Sequence, residues 1–199
     1  TLDRVRIREI FERTYRFLAM SDVRPIGGVA KEAAFEQVMN YFEQNQEEMR
    51  RIVAIEVDVS LEKDDYILVG KVDLLLGPDD KLELLDFKTT PRPKDDPELL
   101  AAYERQLHTY AYILEKRHGR RADRLLLYWT SEPRKEDALM VLPYDPARVE
   151  EAGRHFDEVV RRIQAREFIV RKPPEPDICK ECDLRLLCQA EGIIPKAQE

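Results

Sequence analysis

Residues 70–76, GKVDLLL, and residues 81–88, KLELLDFK, are two apolar stretches joined by GPDD at positions 77–80. Glycine, proline and aspartate are typical of tight turns, so we expect the two stretches to form an antiparallel β-hairpin. Charged residues nevertheless occur inside both stretches, namely Asp73, Asp86 and Lys88. Because burying an unpartnered charge in an apolar strand costs free energy, these charges indicate a cluster with a function.

Side-chain direction places two of these charges together. Successive residues of a strand point to opposite faces, so Asp86 and Lys88 share one face while Phe87 points into the core. The hairpin can bring Asp73 beside Asp86, and hard oxygen ligands of this kind suit Mg²⁺ or Mn²⁺. The main-chain carbonyl of Phe87 could add a further ligand. In the alternative interpretation, Lys88 is simply the salt-bridge partner of Asp86 on the sheet surface.

Another strand is predicted upstream, at residues 52–61. Its apolar residues alternate with polar ones at the period of a half-buried strand, and they are Ile55, Val57, Val59 and Leu61. Glu56, on the opposite face, could be a third acid near the metal. Taken alone, it fits an ordinary solvent-facing glutamate better.

A helix is predicted downstream, from Pro97 to about His118, because proline suits a first helical turn and Gly119 suits the end. Apolar residues recur along it at helical spacing, and they are Leu99, Leu100, Tyr103, Leu107, Tyr110, Ala111 and Leu114. Gln106 and Tyr110 lie four residues apart on one face. An amide and a phenol there could hold a water molecule and a phosphate oxygen; the alternative is a core tyrosine near a surface glutamine.

Four segments therefore follow one another along the chain: Glu56, Gly70-x-x-Asp73, Asp86-x-Lys88 and Gln106-x-x-x-Tyr110. This succession resembles the nuclease domain of the PD-(D/E)xK superfamily over about residues 50–190. Within that superfamily it looks most like the RecB-type exonuclease branch, which includes nuclease domains fused to helicases and the CRISPR-adaptation nucleases. The resemblance implies an α/β fold with a restriction-endonuclease-like core, in which helices flank a mixed central sheet.

The same resemblance implies hydrolysis of DNA phosphodiester bonds that depends on Mg²⁺ or Mn²⁺. The implied metal ligands are Asp73, Asp86, the Phe87 carbonyl and Glu56. Lys88 would orient the attacking water, while Gln106 and Tyr110 would position water and phosphate. The implied substrate is DNA, single-stranded or entering by an end, with 5′-phosphate products. The implied partner is a fused or associated helicase of DNA repair or recombination.

All three cysteines of the chain fall in one short segment near its end, with the spacing C-x₂-C-x₅-C, at Cys179, Cys182 and Cys188. A disulfide framework would use an even number of cysteines spread through the chain, so this cluster predicts metal ligands, for zinc or for iron–sulfur. In the iron–sulfur members of the resembling branch, such a triplet and an upstream cysteine bind a [4Fe–4S] cluster. No cysteine precedes Cys179 here. The fourth ligand is therefore lost, supplied by another type of residue, or contributed by a part of the parent protein outside this chain.

A second departure concerns the helix before the first strand, predicted at residues 31–42. Many members of the resembling family place a metal-binding histidine there, whereas this chain has none. Glu32 or Glu36 could replace it, although surface acids on an amphipathic helix are the favoured interpretation. Both departures favour a rival hypothesis, a catalytically silent nuclease fold that binds DNA or scaffolds a larger machine. A zinc-binding interaction module is a second rival.

Charge sets a further limit, because the chain has a net charge of −7 and nucleic-acid binding depends on neutralising phosphates. Basic residues do cluster in two places, at Lys116, Arg117, Arg120, Arg121 and Arg124, and at Arg161, Arg162, Arg166, Arg171 and Lys172. They could contact DNA or be solvated faces of the protein. We find no apolar run that would span a bilayer and no signal peptide, and we expect a cytoplasmic protein.

A length of 199 residues suits a single compact domain. We expect an N-terminal helical segment at 1–50, the nuclease core at 51–170 and a cysteine segment at 171–199. Because the chain begins at Thr1 within a helical pattern, we expect it to be a domain excised from a larger protein. Helices are predicted at 4–19, 29–49, 97–118 and 146–166. Strands are predicted at 52–62, 65–76, 81–88, 124–130 and 138–142.

Overall fold

The computed structural model describes residues 2–21, 23–77, 81–167, 178–179 and 182–192. The chain divides into two compact units, Thr1–Asp157 and Glu158–Glu199. None of the described helices combines the length and the apolar character that crossing a membrane requires.

A mixed five-stranded sheet forms the centre of the first unit. Its strands are β1 (Ile52–Glu62), β2 (Ile67–Leu76), β3 (Glu83–Lys88), β4 (Arg124–Trp129) and β5 (Leu139–Pro143). They lie in sequence order, and every neighbouring pair is antiparallel except β3 and β4, which are parallel. The antiparallel pairing of β2 with β3 confirms the predicted hairpin, although turn residues 78–80 lie outside the described residues.

Helices lie before, between and after these strands. They are α1 (Arg4–Met20), α2 (Gly28–Gln44), α3 (Pro97–His118), α4 (Lys135–Ala138), α5 (Pro146–Gln164) and α6 (Arg185–Ala190), with a 3₁₀ turn at Glu48–Arg51. Helix α3 begins where proline predicts, with Asp96 capping the N–H of Leu99, and it ends at Gly119, whose φ is 62°. Helix α2 is shorter than predicted: it ends at Gln44, and the chain forms a 3₁₀ turn at Glu48–Arg51 before β1.

The two faces of the sheet pack against different helices. On the first face, which we call the α3 face, Val72, Leu84 and Leu127 pack with buried residues of α3 such as Leu107. On the opposite face, Leu74, Leu85, Phe87 and Tyr128 of the strands pack with Tyr41 of α2. Both faces of the central strands are therefore covered, which explains why β3 and β4 are almost continuously apolar.

The regular alternation of β1 and β2 is interrupted where Glu56 falls opposite Asp73. The neighbouring pairs in register are Ile55–Leu74 and Val57–Val72. Glu56 has a φ of 50°, in the left-handed region that non-glycine residues seldom adopt. Val72 packs on the α3 face, yet Leu74 packs on the opposite face, so β2 changes phase at Asp73.

This irregularity corrects one part of the sequence prediction. The alternation in β1 holds for its last three apolar residues, Val57, Val59 and Leu61, which pack into the core of the α3 face. It is wrong for Ile55, which is 65% exposed. The left-handed residue that follows Ile55 shifts its side chain out of phase with the rest of the strand.

Candidate active site

The ammonium group of Lys88 is the centre of the polar cluster on the α3 face. It lies 2.7 Å from Asp86 Oδ2 and donates a hydrogen bond of 2.6 Å to Gln106 Oε1. It also lies 4.3 Å from the centroid of the Tyr103 ring. The Lys88 side chain is 13% exposed and that of Asp86 is 5% exposed, so a buried carboxylate faces a nearly buried cation.

Helix α3 supplies the other half of the cluster. Gln106 and Tyr110 are one turn apart, and Gln106 Nε2 donates a hydrogen bond of 2.8 Å to the Tyr110 hydroxyl. Because Gln106 also accepts from Lys88, a continuous polar chain runs from Asp86 to Tyr110. The structure thus brings together four of the residues that the sequence analysis selected.

Asp73 joins the cluster through the main chain of β3. The β2–β3 ladder ends at the pair Leu74–Leu85, one position before Asp73 would face Asp86. At that point Asp73 Oδ2 accepts a hydrogen bond of 2.7 Å from the N–H of Phe87. A side chain therefore replaces the next ladder contact, and it fixes a carboxylate beside the Asp86–Lys88 pair.

Electrostatics at this cluster raise two pKa values. Burial raises the pKa of Asp86, the charge of Asp73 raises it further, and the hydrogen bond and charge of Lys88 only partly oppose this. Burial is also the main cause that raises the pKa of Tyr110, with the negative charges of Asp86 and Asp73 adding to it. The ionised form of Asp86 is therefore costly in this site, a condition that functional carboxylates often show.

A glycine allows Tyr110 to approach β2. A Cβ atom at Gly70 would lie 2.7 Å from Cε1 of the Tyr110 ring, closer than real Cβ contacts occur. The ring thus lies directly over the strand, three residues before Asp73. Gly70 is required by this close approach and not by a turn.

Glu56 does not join the polar cluster. Its side chain is 65% exposed, and its carboxylate lies 3.7 Å from the ammonium of Lys71, which is equally far from Asp58. This arrangement agrees with the solvent-facing interpretation of Glu56. A role for Glu56 as a metal ligand stays a prediction.

The two glutamates considered as substitutes for the missing histidine pair with helix α1. Glu32 forms an ion pair with Arg8, which lowers the pKa of Glu32, and Glu36 forms one with Arg4. Both acids are more than 40% exposed. They are surface residues that link α1 to α2, as the favoured interpretation stated.

The cysteine segment lies in the second unit. Cys179 and Cys188 are half-buried, Cys182 is exposed, and none of the three forms a disulfide. Across the part of the chain that the structure describes, no group of three histidine, cysteine or acidic side chains is close enough to hold one metal ion. The polar cluster itself contains two carboxylates, Asp73 and Asp86. Metal binding by these acids and by the cysteines stays a prediction.

The first basic cluster is largely engaged within the protein. Lys116 pairs with Glu150, and Arg124 pairs with Glu83. Arg117 donates to the carbonyl of Ser60, and Arg121 lies over the ring of Tyr144.

In the second basic cluster, Arg161 and Arg162 pair with nearby glutamates, while Arg171 and Lys172 lie outside the described residues. These contacts favour solvated and structural roles over a DNA-binding surface.

Two residues next to the site were not predicted from the sequence. Tyr103 was assigned only to the apolar stripe of α3, although its spacing of three from Gln106 places it on the same helix face. Arg105 was not selected at all, because a single exposed arginine carries no pattern. Their positions relative to Lys88 and Tyr110 depend on how α3 packs on the sheet.

Comparison with known proteins yields three findings. A family model described as the PD-(D/E)XK nuclease superfamily matches residues 2–189. Two proteins named Gene 69 protein, from Mycobacterium phages L5 and D29, are 30% and 29% identical over 137 residues, or 68% of this chain. The chain spans 44% and 47% of the lengths of these relatives.

The third finding is structural. A crystal structure from Eubacterium rectale named "Putative exonuclease" matches with a TM-score of 0.54 and 12% identity. The match covers 90% of this chain and 76% of that one. At this level of identity, the likeness concerns the fold alone.

Proposed function

Since this chain belongs to the PD-(D/E)XK nuclease superfamily, we propose that it is a metal-dependent DNA nuclease that hydrolyses phosphodiester bonds. The observation that carries this proposal is the continuous polar chain from Asp86 through Lys88 and Gln106 to Tyr110, with Asp73 beside it. Membership of the superfamily confirms the predicted restriction-endonuclease-like α/β core. Assignment to the RecB-type exonuclease branch is part of the proposal.

The substrate and partner are proposed from the same resemblance. We expect single-stranded DNA, or DNA entering by an end, and a fused or associated helicase of DNA repair or recombination. Because the chain spans less than half of the phage relatives, a further part of a longer protein could supply the motor and hold the DNA. This would also relieve the difficulty of a net charge of −7.

The donors of the site suit a hard divalent ion. Mg²⁺ is commonly bound by one or two carboxylates together with substrate phosphates, and Asp73 and Asp86 are two carboxylates held on neighbouring strands. Asp86 is 4% exposed, and burial together with the charge of Asp73 raises its pKa in spite of the neighbouring Lys88. Asp73, Asp86 and the carbonyl of Phe87 would therefore hold Mg²⁺ or Mn²⁺, which supplies positive charge to activate water and neutralise the phosphate.

The remaining residues act through hydrogen bonds and charge. Lys88 is fixed by Asp86, Gln106 and the ring of Tyr103, so its charge has a defined position without rearrangement. In that position, Lys88 orients the attacking water and offsets negative charge as the phosphodiester bond breaks. Gln106 and Tyr110 position Lys88 and the phosphate relative to each other, because the two side chains are held by their mutual hydrogen bond.

A catalytically silent nuclease fold is the second candidate. It is favoured by the small donor set, since no third acid, histidine or cysteine completes the site among the described residues. It is opposed by the raised pKa of Asp86, because a binding module gains nothing from keeping a costly charge in its core. Catalysis would give a reason to keep the buried carboxylate of Asp86 in spite of its free-energy cost.

Cleavage of single-stranded and double-stranded DNA with Mg²⁺ or Mn²⁺ tests the proposal. We expect cleavage by the unaltered protein and none by Asp86→Ala or Lys88→Ala, each shown to be folded by circular dichroism. Arg154→Ala, an exposed change on α5, is the matched control. Full cleavage by folded Lys88→Ala would refute the mechanism. DNA binding without cleavage in either metal would favour the silent fold.

A further inference from the structure

We propose that a cleft between β2, α3 and α5 binds the nucleotide next to the cleaved phosphate, with Arg105 as the ligand of its phosphate group. This inference rests on the proposed nuclease function and names the part of the substrate that the site recognises. The cleft has a volume of about 320 Å³. Its lining includes Gly70, Arg105, Gln106, Tyr110 and Phe156.

The cleft adjoins the polar cluster directly. Gln106 and Tyr110 belong to both, since they line the cleft and are hydrogen-bonded to each other and to Lys88. A polynucleotide whose phosphate lies at Lys88 must therefore place a neighbouring nucleotide in or near this cleft. The volume lies at the lower end of the range for small-ligand sites, as a single nucleotide unit requires.

Arg105 is the cation best placed to bind a phosphate there. Within the part of the chain that the structure describes, its guanidinium group makes no hydrogen bond or ion pair, in contrast to the basic residues near the end of α3. The adjacent acid, Glu104, is bound by Arg148 at 2.9 Å and does not compete for Arg105. The guanidinium fork is thus available for bidentate contact with phosphate.

The remaining lining suits the sugar and base. Phe156 is half-buried and is packed edge-to-face with His155, at 6.2 Å between ring centroids. An aromatic side chain at such a position can stack on any base, which gives binding without sequence preference. No carboxylate lines the cleft among the described residues. An adjoining cleft, which Arg105 also lines, contains two carboxylates, Glu104 and Glu151, and is therefore less favourable for a phosphate.

Fluorescence anisotropy with a labelled oligothymidylate in Mg²⁺ tests the assignment. The background is Asp86→Asn, which prevents cleavage during the measurement. We expect Arg105→Ala to weaken binding about tenfold, as loss of a charged hydrogen bond does. The fall of log K with log salt should also become shallower, by about 0.7 in slope. Arg105→Lys should recover part of the affinity. Arg154→Ala, which lines neither cleft, should bind like the background protein.

Cleavage kinetics give an independent measurement in the protein with Asp86 intact. Arg105→Ala should raise KM about tenfold and change kcat far less, because Arg105 contacts substrate away from the reacting bond. Unchanged affinity and KM in Arg105→Ala would overturn this inference alone and leave the nuclease proposal standing. An equal loss in Arg154→Ala would also overturn it, as a general charge effect.

Failure of the nuclease proposal gives different results. Binding of the oligothymidylate that depends on Arg105, without any cleavage by the unaltered protein, would support the cleft and refute the nuclease. Absence of both binding and cleavage would refute both. The binding measurement therefore separates the two proposals.

Discussion

The carboxylate of Asp73 takes the place of a strand partner for Phe87. Its Oδ2 atom accepts the N–H of Phe87 at 2.7 Å, immediately beyond the last paired residues of β2 and β3. One oxygen of this acid is thus used to order the strand that carries Asp86 and Lys88. The structural role of Asp73 and its proposed catalytic role can be separated, because an amide can replace the carboxylate only in the first of them.

Asp73→Asn should therefore keep most of the stability and lose cleavage. The asparagine oxygen can still accept from Phe87, but the negative charge is gone. Asp73→Ala should lose cleavage and also about 1–3 kcal/mol of unfolding free energy, because the N–H of Phe87 loses its acceptor. Urea unfolding and DNA cleavage check both variants. Equal stability of the alanine and asparagine variants would show that the hydrogen bond does not order β3.

Asp86→Asn should stabilise the protein at neutral pH. Burial raises the pKa of Asp86, so the folded state binds this proton more tightly than the unfolded state does. Folding stability then falls as pH rises from about 4, the ordinary aspartate value, through the raised pKa. Asp86→Asn should therefore increase the free energy of unfolding at pH values above the raised pKa, and it should make no difference at pH values below about 4. Urea unfolding from acid to neutral pH measures this, and a loss of stability at pH 7 would contradict it.

Gly70→Ala should disturb the site through Tyr110. The added Cβ would lie 2.7 Å from the Tyr110 ring, and such overpacking costs about 1–3 kcal/mol. Because the ring must move, we also expect lower cleavage. Gly28→Ala is the matched control, since its Cβ would meet nothing within 4 Å and alanine favours helices. Thermal unfolding and kcat should separate the two variants; similar behaviour of both would argue against this packing.

Tyr103 should matter through its ring and not through its hydroxyl. The ring lies 4.3 Å from the Lys88 ammonium, and a contact of this kind contributes about 0.5–2 kcal/mol. Tyr103→Phe should retain cleavage, whereas Tyr103→Leu should lower kcat between about twofold and thirtyfold. A leucine variant with normal kcat would show that Asp86 and Gln106 are sufficient to position Lys88.

The cysteine segment should bind a metal cluster weakly in this chain. Only three cysteines are present, so we expect substoichiometric iron, sulfide or zinc after anaerobic purification, and little change in Tm for Cys182→Ser. In a longer protein carrying a fourth ligand, the same change should lower Tm strongly. A full four-iron complement here would contradict this and require a non-cysteine ligand or one shared between chains.

Local spacing was sufficient to predict much of the fold and of the site. Residues two apart on a strand and four apart on a helix must share a face, which is why Asp86 and Lys88, and Gln106 and Tyr110, were paired correctly. The hairpin followed from its turn residues. These features depend on backbone geometry over a few residues, so they are visible in one sequence.

Contacts between distant residues could not be predicted in this way. Glu83 is also a charge inside the apolar stretch 81–88, but it is 2% exposed between Arg51 and Arg124 and has a structural role. Arg124 looks like a possible DNA-binding residue in the sequence because its partner, Glu83, lies 41 positions away. The left-handed backbone of Glu56 was likewise not predictable from the sequence, because it occurs where the register of β1 with β2 is interrupted.

At position 87, the main chain and the side chain make contacts with different parts of the protein. The N–H of Phe87 is bound by Asp73, whereas the ring packs edge-on against Tyr41 and Tyr128, at 4.9 Å and 6.1 Å between centroids. Every residue except proline offers the same N–H. The side chain at position 87 can therefore be exchanged to suit the core while its N–H still binds Asp73. An exchange at Asp86 or Lys88, its immediate neighbours, would instead remove one partner of their salt bridge.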